Sequence, residues 1–216
     1  MMPRVIDLGE RSPKLRGVHL IVGEGLCSNI YVLGVEEAVL IDAGVGNRLN
    51  PVWPQLEEIG VKPEGLRRVA VTHAHHDHVG GVFRILERAD PEVYMHRFDA
   101  EYVAAYIKRL RLVDEGDVIE TPLWPLRVIW TPGHTRGGIC LYVEEEAILF
   151  SGDTVFPWGY YGRYNGETGS YEDIVESLRR LNELEVELLL PGHGGPIYRD
   201  AHRHIEMAYR NAVSKP

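Results

Sequence analysis

The chain has 216 residues, of which 44% are hydrophobic, so it can fill one domain and is too short for a second of comparable size; we predict a single domain over residues 1–216. Its net charge of −9 argues against broad contact with nucleic acid, since neutralising phosphates requires clustered Lys and Arg. No apolar run approaches the roughly 18 residues of a membrane span, and the first residues lack a signal-peptide pattern. The two cysteines are far apart and form no disulfide framework. We therefore expect a cytoplasmic protein.

The first half of the chain indicates strands followed by alternating helices and strands. Three short apolar runs separated by glycines are typical of a β-meander: residues 18–22, 29–33 and 38–41. Helical spacing or composition predicts three helices: residues 48–59, 79–88 and 100–112. Pro51 and Pro54 would delay the first of these helices, and the third carries Arg and Lys on a face that we expect to be solvated. A short strand over residues 92–95 separates the second helix from the third.

The second half repeats this mixture. Four strands are expected: residues 126–130, 139–143, 147–150 and 187–190. Two amphipathic helices are expected, over residues 171–184 and 201–212. This order of elements would build two mixed β-sheets packed face to face, each covered outside by helices, which is an α/β fold of four layers, αββα.

A histidine-rich string directly follows an apolar run that we predict to be a buried strand. The sequence of residues 69–81 is VAVTHAHHDHVGG. His73 and His75 are two apart and can point to the same side of the backbone, whereas Asp77 and His78 come at the next turn and can reach a second ion. A solvated loop that is rich in histidine by chance is the alternative, but these residue types at this spacing after a strand favour a metal site.

Three further residues of metal-ligand type stand in turns after predicted strands. His134 lies in TPGHT, Asp153 in FSGDT and His193 in LPGHG. Each alone is a weak signal, since a single His or Asp at a turn is usually solvated or caps the backbone.

The string His-x-His-x-Asp-His, followed at a distance by isolated His, Asp and His, resembles the signature of the metallo-β-lactamase superfamily. The resemblance implies that superfamily's four-layer αββα sandwich. It also implies seven metal ligands, of which three bind one ion, three bind a second and one bridges them: His73, His75 and His134; Asp77, His78 and His193; and Asp153. This mix of ligands suits two zinc ions, and also iron or manganese. In the superfamily an Asp at the position of Asp42, in LIDAG, orients a ligand imidazole; the alternative is a turn-forming Asp before Gly.

Within the superfamily the chain is most similar to the glyoxalase II-like group, through TPGHTRGGICLYV at residues 131–143 and SGDTVF at residues 151–156. In glyoxalase II, a Gly-x-Gly-basic-aromatic stretch after the bridging Asp helps to bind the carboxylate of glutathione. The stretch GYYGRY at residues 159–164 is similar, with one extra residue. Glyoxalase II also carries a helical extension after its last His, whereas here only one helix has room to follow His193. This difference favours either a smaller thioester or ester, or a substrate held mainly by the loop from Tyr160 to Tyr164.

The resemblance implies a set of substrate-binding residues: Arg163, Tyr160, Tyr161, Tyr164 and Cys27. Arg163 would hold a substrate carboxylate or phosphate between flat tyrosine walls; the alternative is a loop Arg that pairs with a local acid. Cys27 stands in a turn that borders the active site in this superfamily, so its thiol either touches substrate or is structural.

The function that the resemblance implies is that of a binuclear metallohydrolase, in which a bridging hydroxide attacks a thioester, ester or lactone and Asp77 and Asp153 are catalytic. The alternative is a persulfide dioxygenase with a single iron held by His73, His134 and Asp153. An RNA-processing nuclease fits less well, because the charge is acidic and an RNA-gripping arm is not evident. We therefore expect a small-molecule substrate, which can be anionic, and no membrane partner. The sequence leaves homo-oligomerisation open.

Overall fold

The computed structural model describes residues 4–214, which form two mixed β-sheets. The larger sheet has seven strands in sequence order: β1 (Val5–Asp7), β2 (Val18–Ile21), β3 (Ile30–Leu33), β4 (Ala38–Ile41), β5 (Leu66–Ala70), β6 (Glu92–His96) and β7 (Leu110–Val113). Strands β1 to β4 pair antiparallel, whereas β4 to β7 pair parallel.

The smaller sheet has five strands in the order β12-β11-β10-β9-β8. They are β8 (Val118–Ile119), β9 (Leu126–Trp130), β10 (Ile139–Val143), β11 (Ile148–Gly152) and β12 (Leu188–Pro191). Strands β11 and β12 are parallel, and the other pairs in this sheet are antiparallel. Residues 4–214 also contain five α-helices: α1 (Val52–Ile59), α2 (His76–Leu86), α3 (Arg97–Ala100), α4 (Tyr171–Leu181) and α5 (His202–Val213).

Alternation along the strands sends side chains to both faces of each sheet. In β4, Leu40 packs in one apolar cluster with Val52 of α1 and Val82 of α2. Its neighbour Val39 lies in a second cluster, which also contains Phe150 of the other sheet. The larger sheet is therefore covered by helices on one face and by the smaller sheet on the other.

The smaller sheet shows the same division. Leu141 of β10 packs in the cluster between the sheets, whereas its neighbour Tyr142 packs on the other face with Ile174 of α4 and Ile205 of α5. Together the clusters form the order helix, sheet, sheet, helix. The predicted four-layer αββα sandwich is confirmed, and the division of the chain into one domain stays a prediction.

The helix predicted over residues 100–112 is wrong. Helix α3 ends at Ala100, residues 101–106 form turns, and the following segment is the edge strand β7. Strand β7 pairs parallel with β6, and Arg109 and Arg111 both approach Glu92, at 3.4 and 2.7 Å. The basic residues that suggested a solvated helix face instead lie along the edge of a sheet, because pairing with β6 outweighs the local helical preference.

Other predicted elements match the structure with shifts of at most four residues at their ends, the largest being at the start of α1, and the prediction had no counterpart for β1, β7 and β8. One shift matters for the site. Helix α2 begins at His76 and not near residue 79, so Asp77 and His78 lie in its first turn. Within residues 4–214, no helix is long and apolar enough to cross a membrane.

The carboxyl ends of five strands place the predicted ligands at one end of the sandwich. Strands β4 and β5 are parallel, so the loop with Asp42 and the histidine string emerge side by side. Strands β9, β11 and β12 also run in one common direction, because β9 and β11 are both antiparallel to β10. Their ends deliver His134, Asp153 and His193.

Candidate metal centre

Three histidines form the first cluster of possible ligands. His73 Nε2 lies 3.0 Å from His75 Nδ1. The ring centroid of His134 lies 4.8 Å from that of His73 and 4.6 Å from that of His75. Each residue offers one nitrogen within 4.8 Å of the others, so one ion could contact all three.

The second cluster contains Asp77, His78 and His193. His193 Nε2 lies 3.1 Å from Asp77 Oδ2 and 3.3 Å from His78 Nε2. Helix α2 supplies the first two residues from its amino-terminal turn, and the loop after β12 supplies the third.

The Asp153 carboxylate stands between the two clusters. Its Oδ2 lies 3.5 Å from His134 Nε2 and 3.6 Å from His193 Nε2, whereas its Oδ1 lies 3.3 Å from His78 Nε2. A single carboxylate in this position can contact ligands of both clusters. The structure thus brings the seven predicted ligands together around two adjacent positions.

The donor set fits metal ions. Within residues 4–214, the buried side-chain atoms without a hydrogen-bond partner include His134 Nε2 and Asp153 Oδ1. Burying such polar atoms is costly unless another partner satisfies them. A cation that contacts both atoms would remove this cost, and nitrogen and carboxylate ligands of this kind suit zinc, iron or manganese.

The charge states of the first cluster and of Asp153 also favour cation binding. Burial lowers the pKa of His73, His75 and His134, and neighbouring imidazoles lower it further in His73. These rings are therefore neutral at pH 7 and keep a lone pair for a metal. Burial alone would raise the pKa of Asp153, but nearby His78 and other histidines outweigh it and lower the value to about 2, so the carboxylate is anionic.

Asp42 contacts both the second cluster and the start of the histidine string. Its Oδ2 accepts a hydrogen bond of 2.8 Å from His78 Nδ1, and its Oδ1 accepts one of 2.7 Å from the Thr72 backbone N–H. The residue is 2% exposed and has a φ of 59°, a conformation that a non-glycine residue rarely adopts without a compensating contact. The contact with His78 Nδ1 turns Nε2 of that ring toward the cluster.

Asp99 is a residue of the site that the sequence patterns did not identify. It is 1% exposed, and it accepts hydrogen bonds from Ala74 N–H at 2.8 Å, from Thr135 Oγ1 at 2.9 Å and from Gly137 N–H at 2.7 Å. Ala74 lies between two candidate ligands and Thr135 follows a third, so Asp99 joins two loops that carry candidate ligands. The available signal was its position after the strand predicted at residues 92–95, at the same end as the other ligands.

A cavity with a volume of about 710 Å³ borders both clusters. Its wall includes Tyr161 and Arg163. The Arg163 carbonyl oxygen accepts a hydrogen bond of 2.8 Å from His134 Nδ1, so the substrate loop and a candidate ligand support each other. Within residues 4–214, no acidic side chain pairs with the Arg163 guanidinium. Tyr160 and Tyr164 line an adjacent cavity, which shares Tyr161 and Arg163 with the first.

Cys27 lies beside the site and not within the wall of its main cavity. It is 5% exposed, its Sγ accepts a hydrogen bond of 3.2 Å from Val45 N–H, and it borders a neighbouring cavity that also contains His193. Burial raises the pKa of the Cys27 thiol, so the group is protonated at pH 7 and unsuited to nucleophilic attack. Contact with a substrate stays a prediction.

Comparison with known proteins places this site in a known family. Residues 23–193 match the family model of the metallo-beta-lactamase superfamily. The chain is 32% identical over 178 residues to an atrochrysone carboxyl ACP thioesterase of Aspergillus fumigatus, covering 79% of this chain, and spans about half (51%) of that protein's length. It is 31% identical over 205 residues to the acyl-coenzyme A thioesterase MBLAC2 of Homo sapiens, covering 77% of this chain and 72% of that protein.

A solved structure gives the same result. The protein TTHA1623, crystallised in a di-iron-bound form, superposes with a TM-score of 0.68 at 29% sequence identity, covering 83% of this chain and 93% of that one. The family model includes the histidine string and extends to His193, and the fold is shared over most of the chain. The chain therefore belongs to the metallo-beta-lactamase superfamily.

Proposed function

We propose that this protein is a hydrolase of thioesters that works with two metal ions. The observation that carries the proposal is the position of Asp153, within 3.6 Å of nitrogens in both ligand clusters. The names of the two thioesterase relatives support the type of bond that is cleaved, and the di-iron form of TTHA1623 supports a pair of ions.

The six residues of the two clusters, together with Asp153, would hold the ions. We propose zinc for these ions, with iron or manganese as alternatives. Bound ions of this kind lower the pKa of water to about 7 and polarise a substrate carbonyl. Asp77 and Asp153 lie in the cavity wall as carboxylates that can accept hydrogen bonds from water and orient it. The hydrogen bonds that Asp42 and Arg163 make with His78 and His134 keep these two rings oriented.

The substrate reaches the site from the side of Arg163. Arg163 is exposed, lines the cavity and has no acidic partner within residues 4–214, so we propose that its guanidinium binds a carboxylate or phosphate on the thiol half of the thioester. A hydroxyacylglutathione, an acyl-coenzyme A and an acyl carrier protein all present such a group. A cytoplasmic location stays a prediction.

Metal content and reaction type can be tested together. We expect protein prepared with excess zinc to bind two metal ions per chain in elemental analysis and to hydrolyse an acyl-coenzyme A, because seven ligands exceed what one tetrahedral ion can accept. The same preparation is assayed with a lactone and a persulfide. A single iron per chain together with persulfide oxidation would contradict the proposal and support a dioxygenase that uses His73, His134 and Asp153.

A second prediction concerns Arg163. We expect Arg163→Ala to raise KM about tenfold for anionic substrates, because a charge-assisted hydrogen bond contributes roughly 1.5 to 3 kcal/mol. The backbone carbonyl that binds His134 is kept in this variant, so metal content should not change. The measurement uses pairs of substrates that differ only in the carboxylate, with the exposed Arg210→Ala on α5 as a matched control. Equal losses on both members of a pair would show that Arg163 supports the loop and does not contact the substrate.

A further inference from the structure

An apolar groove opens beside the metal centre. It has a volume of about 480 Å³, within the range of roughly 300 to 1,000 Å³ that is usual for small-molecule sites. Phe156, Trp158 and Tyr160 line it, together with Gly194 and Gly195. A Cβ added at either glycine would meet no atom within 4 Å, so both leave space unfilled.

The aromatic side chains of this groove are unusually exposed. Trp158 is 68% exposed and Tyr160 is 70% exposed, although both carry large apolar surfaces. Exposed apolar patches on a protein surface commonly mark binding sites, because covering them with an apolar partner is favourable. The groove therefore offers apolar surface that the rest of residues 4–214 leaves uncovered.

The turn that presents Trp158 is held in place by helix α5. Trp158 has a φ of 67°, its backbone N–H donates a hydrogen bond of 2.8 Å to His204 Nδ1, and its indole contacts the His204 ring edge-on at 5.0 Å. Asn211 Nδ2 donates a hydrogen bond of 2.9 Å to the Gly159 carbonyl. A left-handed tryptophan costs free energy, and such conformations persist at sites where the surrounding contacts fix them. The exposed indole is thus built into the fold and is not the tip of a loose loop.

The groove continues into the metal cavity. Phe156 and His193 line both, and their rings lie 6.5 Å apart. On another side, the cavity continues past Tyr161 and Arg163 into a second arm that contains Tyr164, Asn165 and Asn211 and shares Tyr160 with the groove. Two arms therefore leave the candidate ligands: the aromatic groove, and a second arm in which tyrosines stand beside Arg163 and two asparagines.

We propose that the aromatic groove binds the aliphatic chain of an acyl thioester, while the second arm, which contains Arg163, binds the thiol half. This assignment rests on the proposed hydrolase function, since the two halves of a thioester extend in two directions from the reacting carbonyl. The His193 imidazole and the Tyr160 phenol are the two titratable side chains among the residues that line the groove. A charged or sugar-like acyl group would therefore lose its hydration there without gaining enough polar partners.

The test is a series of acyl chain lengths. Wild type, Trp158→Gly and Tyr106→Ala are assayed with acetyl-, hexanoyl- and decanoyl-coenzyme A. Glycine suits the positive φ at position 158, so this variant removes the indole without straining the turn. Tyr106 is 72% exposed and lies outside the groove, and its replacement controls for the loss of an exposed aromatic side chain.

We expect kcat/KM of wild type to rise at least about tenfold from acetyl to decanoyl, as apolar area becomes buried. Trp158→Gly should lose about tenfold on the decanoyl substrate and stay within about twofold on the acetyl one. Tyr106→Ala should resemble wild type on all three. Equal rates of wild type across the series, or equal losses of Trp158→Gly on all three substrates, would overturn the assignment.

A binding measurement separates this proposal from the hydrolase function. Calorimetric titration with decanoate should show binding to wild type and at least about tenfold weaker binding to Trp158→Gly. If wild type cleaves no thioester but this difference is found, the groove assignment stands and the hydrolase function fails. If thioesters are cleaved and decanoate binds equally to both, the groove assignment is wrong.

Two other results would also overturn the proposal: a second copy of the chain in the groove, or binding of the acyl chain in a different cavity. A second copy of the chain would be revealed if Trp158→Gly changed the oligomeric state in analytical ultracentrifugation without changing chain-length preference. A neighbouring cavity lined by Ile6, Leu20 and Tyr198 also reaches His193. Loss of decanoyl preference in Tyr198→Ala, with none in Trp158→Gly, would place the acyl chain there.

Discussion

Replacement of Asp153 by alanine should abolish turnover. The Asp153 carboxylate lies within 3.6 Å of nitrogens from His78, His134 and His193, and it is the anionic group that both ligand clusters share. Without it, two cations held a short distance apart would repel each other with no negative charge between them. We expect elemental analysis to find fewer than two metal ions per chain and the rate of thioester hydrolysis to fall by far more than tenfold.

The fold should largely survive this replacement, because Asp153 is placed by the end of β11 and makes no hydrogen bond through its Oδ1. Asp153→Asn tests charge at nearly constant shape, and Asp90→Ala, at an exposed position, controls for the loss of an aspartate. Circular dichroism verifies folding. A rate above about a tenth of wild type, equivalent to a change below about 1.4 kcal/mol in the barrier, would show that Asp153 does not bridge.

The layers of the fold could be predicted because their signals are local. The strands β4, β9 and β10 have the predicted bounds, since each is an apolar run closed by turn residues. Strand β7 could not be predicted in this way. Its sequence alternates only weakly, and its conformation depends on pairing with β6 and on the contacts of Arg109 and Arg111 with Glu92.

The candidate ligands could be predicted because a family motif preserves their spacing along the chain. Contacts between distant loops leave no such spacing. Asp99 meets Thr135 and Gly137 across 36 and 38 residues, and Trp158 meets His204 across 46. Through this contact His204 accepts a hydrogen bond from the turn that carries the exposed indole. Such supporting residues become visible only once the fold brings the loops together.

Asp99 is the second residue whose replacement should have a large effect. Its two oxygens accept three hydrogen bonds, from the backbone N–H groups of Ala74 and Gly137 and from the Thr135 hydroxyl. Asparagine has one acceptor oxygen and one donor NH₂ group. In Asp99→Asn the NH₂ group would therefore face at least one of the three donors and could not accept its hydrogen bond. A buried donor left unsatisfied costs about 1 to 3 kcal/mol, and the loops that carry His75 and His134 would shift apart.

We therefore expect Asp99→Asn to weaken metal binding at the cluster of His73, His75 and His134 by about 10- to 100-fold, as replacement of a residue that supports metal ligands typically does. The cluster of Asp77, His78 and His193 should keep its affinity, because none of its residues contacts Asp99 through the hydrogen bonds of the structure. Chelator competition measures the two affinities, and thermal unfolding of the metal-free protein measures stability separately.

The Thr135 hydroxyl provides a graded control for the Asp99 experiment. Thr135→Val removes one of the three hydrogen bonds and should weaken the same cluster less than Asp99→Asn does, whereas Thr135→Ser keeps the hydroxyl and should resemble wild type. If Asp99→Asn lowered the unfolding temperature but bound both ions with wild-type affinity, Asp99 would only stabilise the fold. If both clusters weakened equally, the carboxylate would act on the site as a whole and not through the loops of His75 and His134.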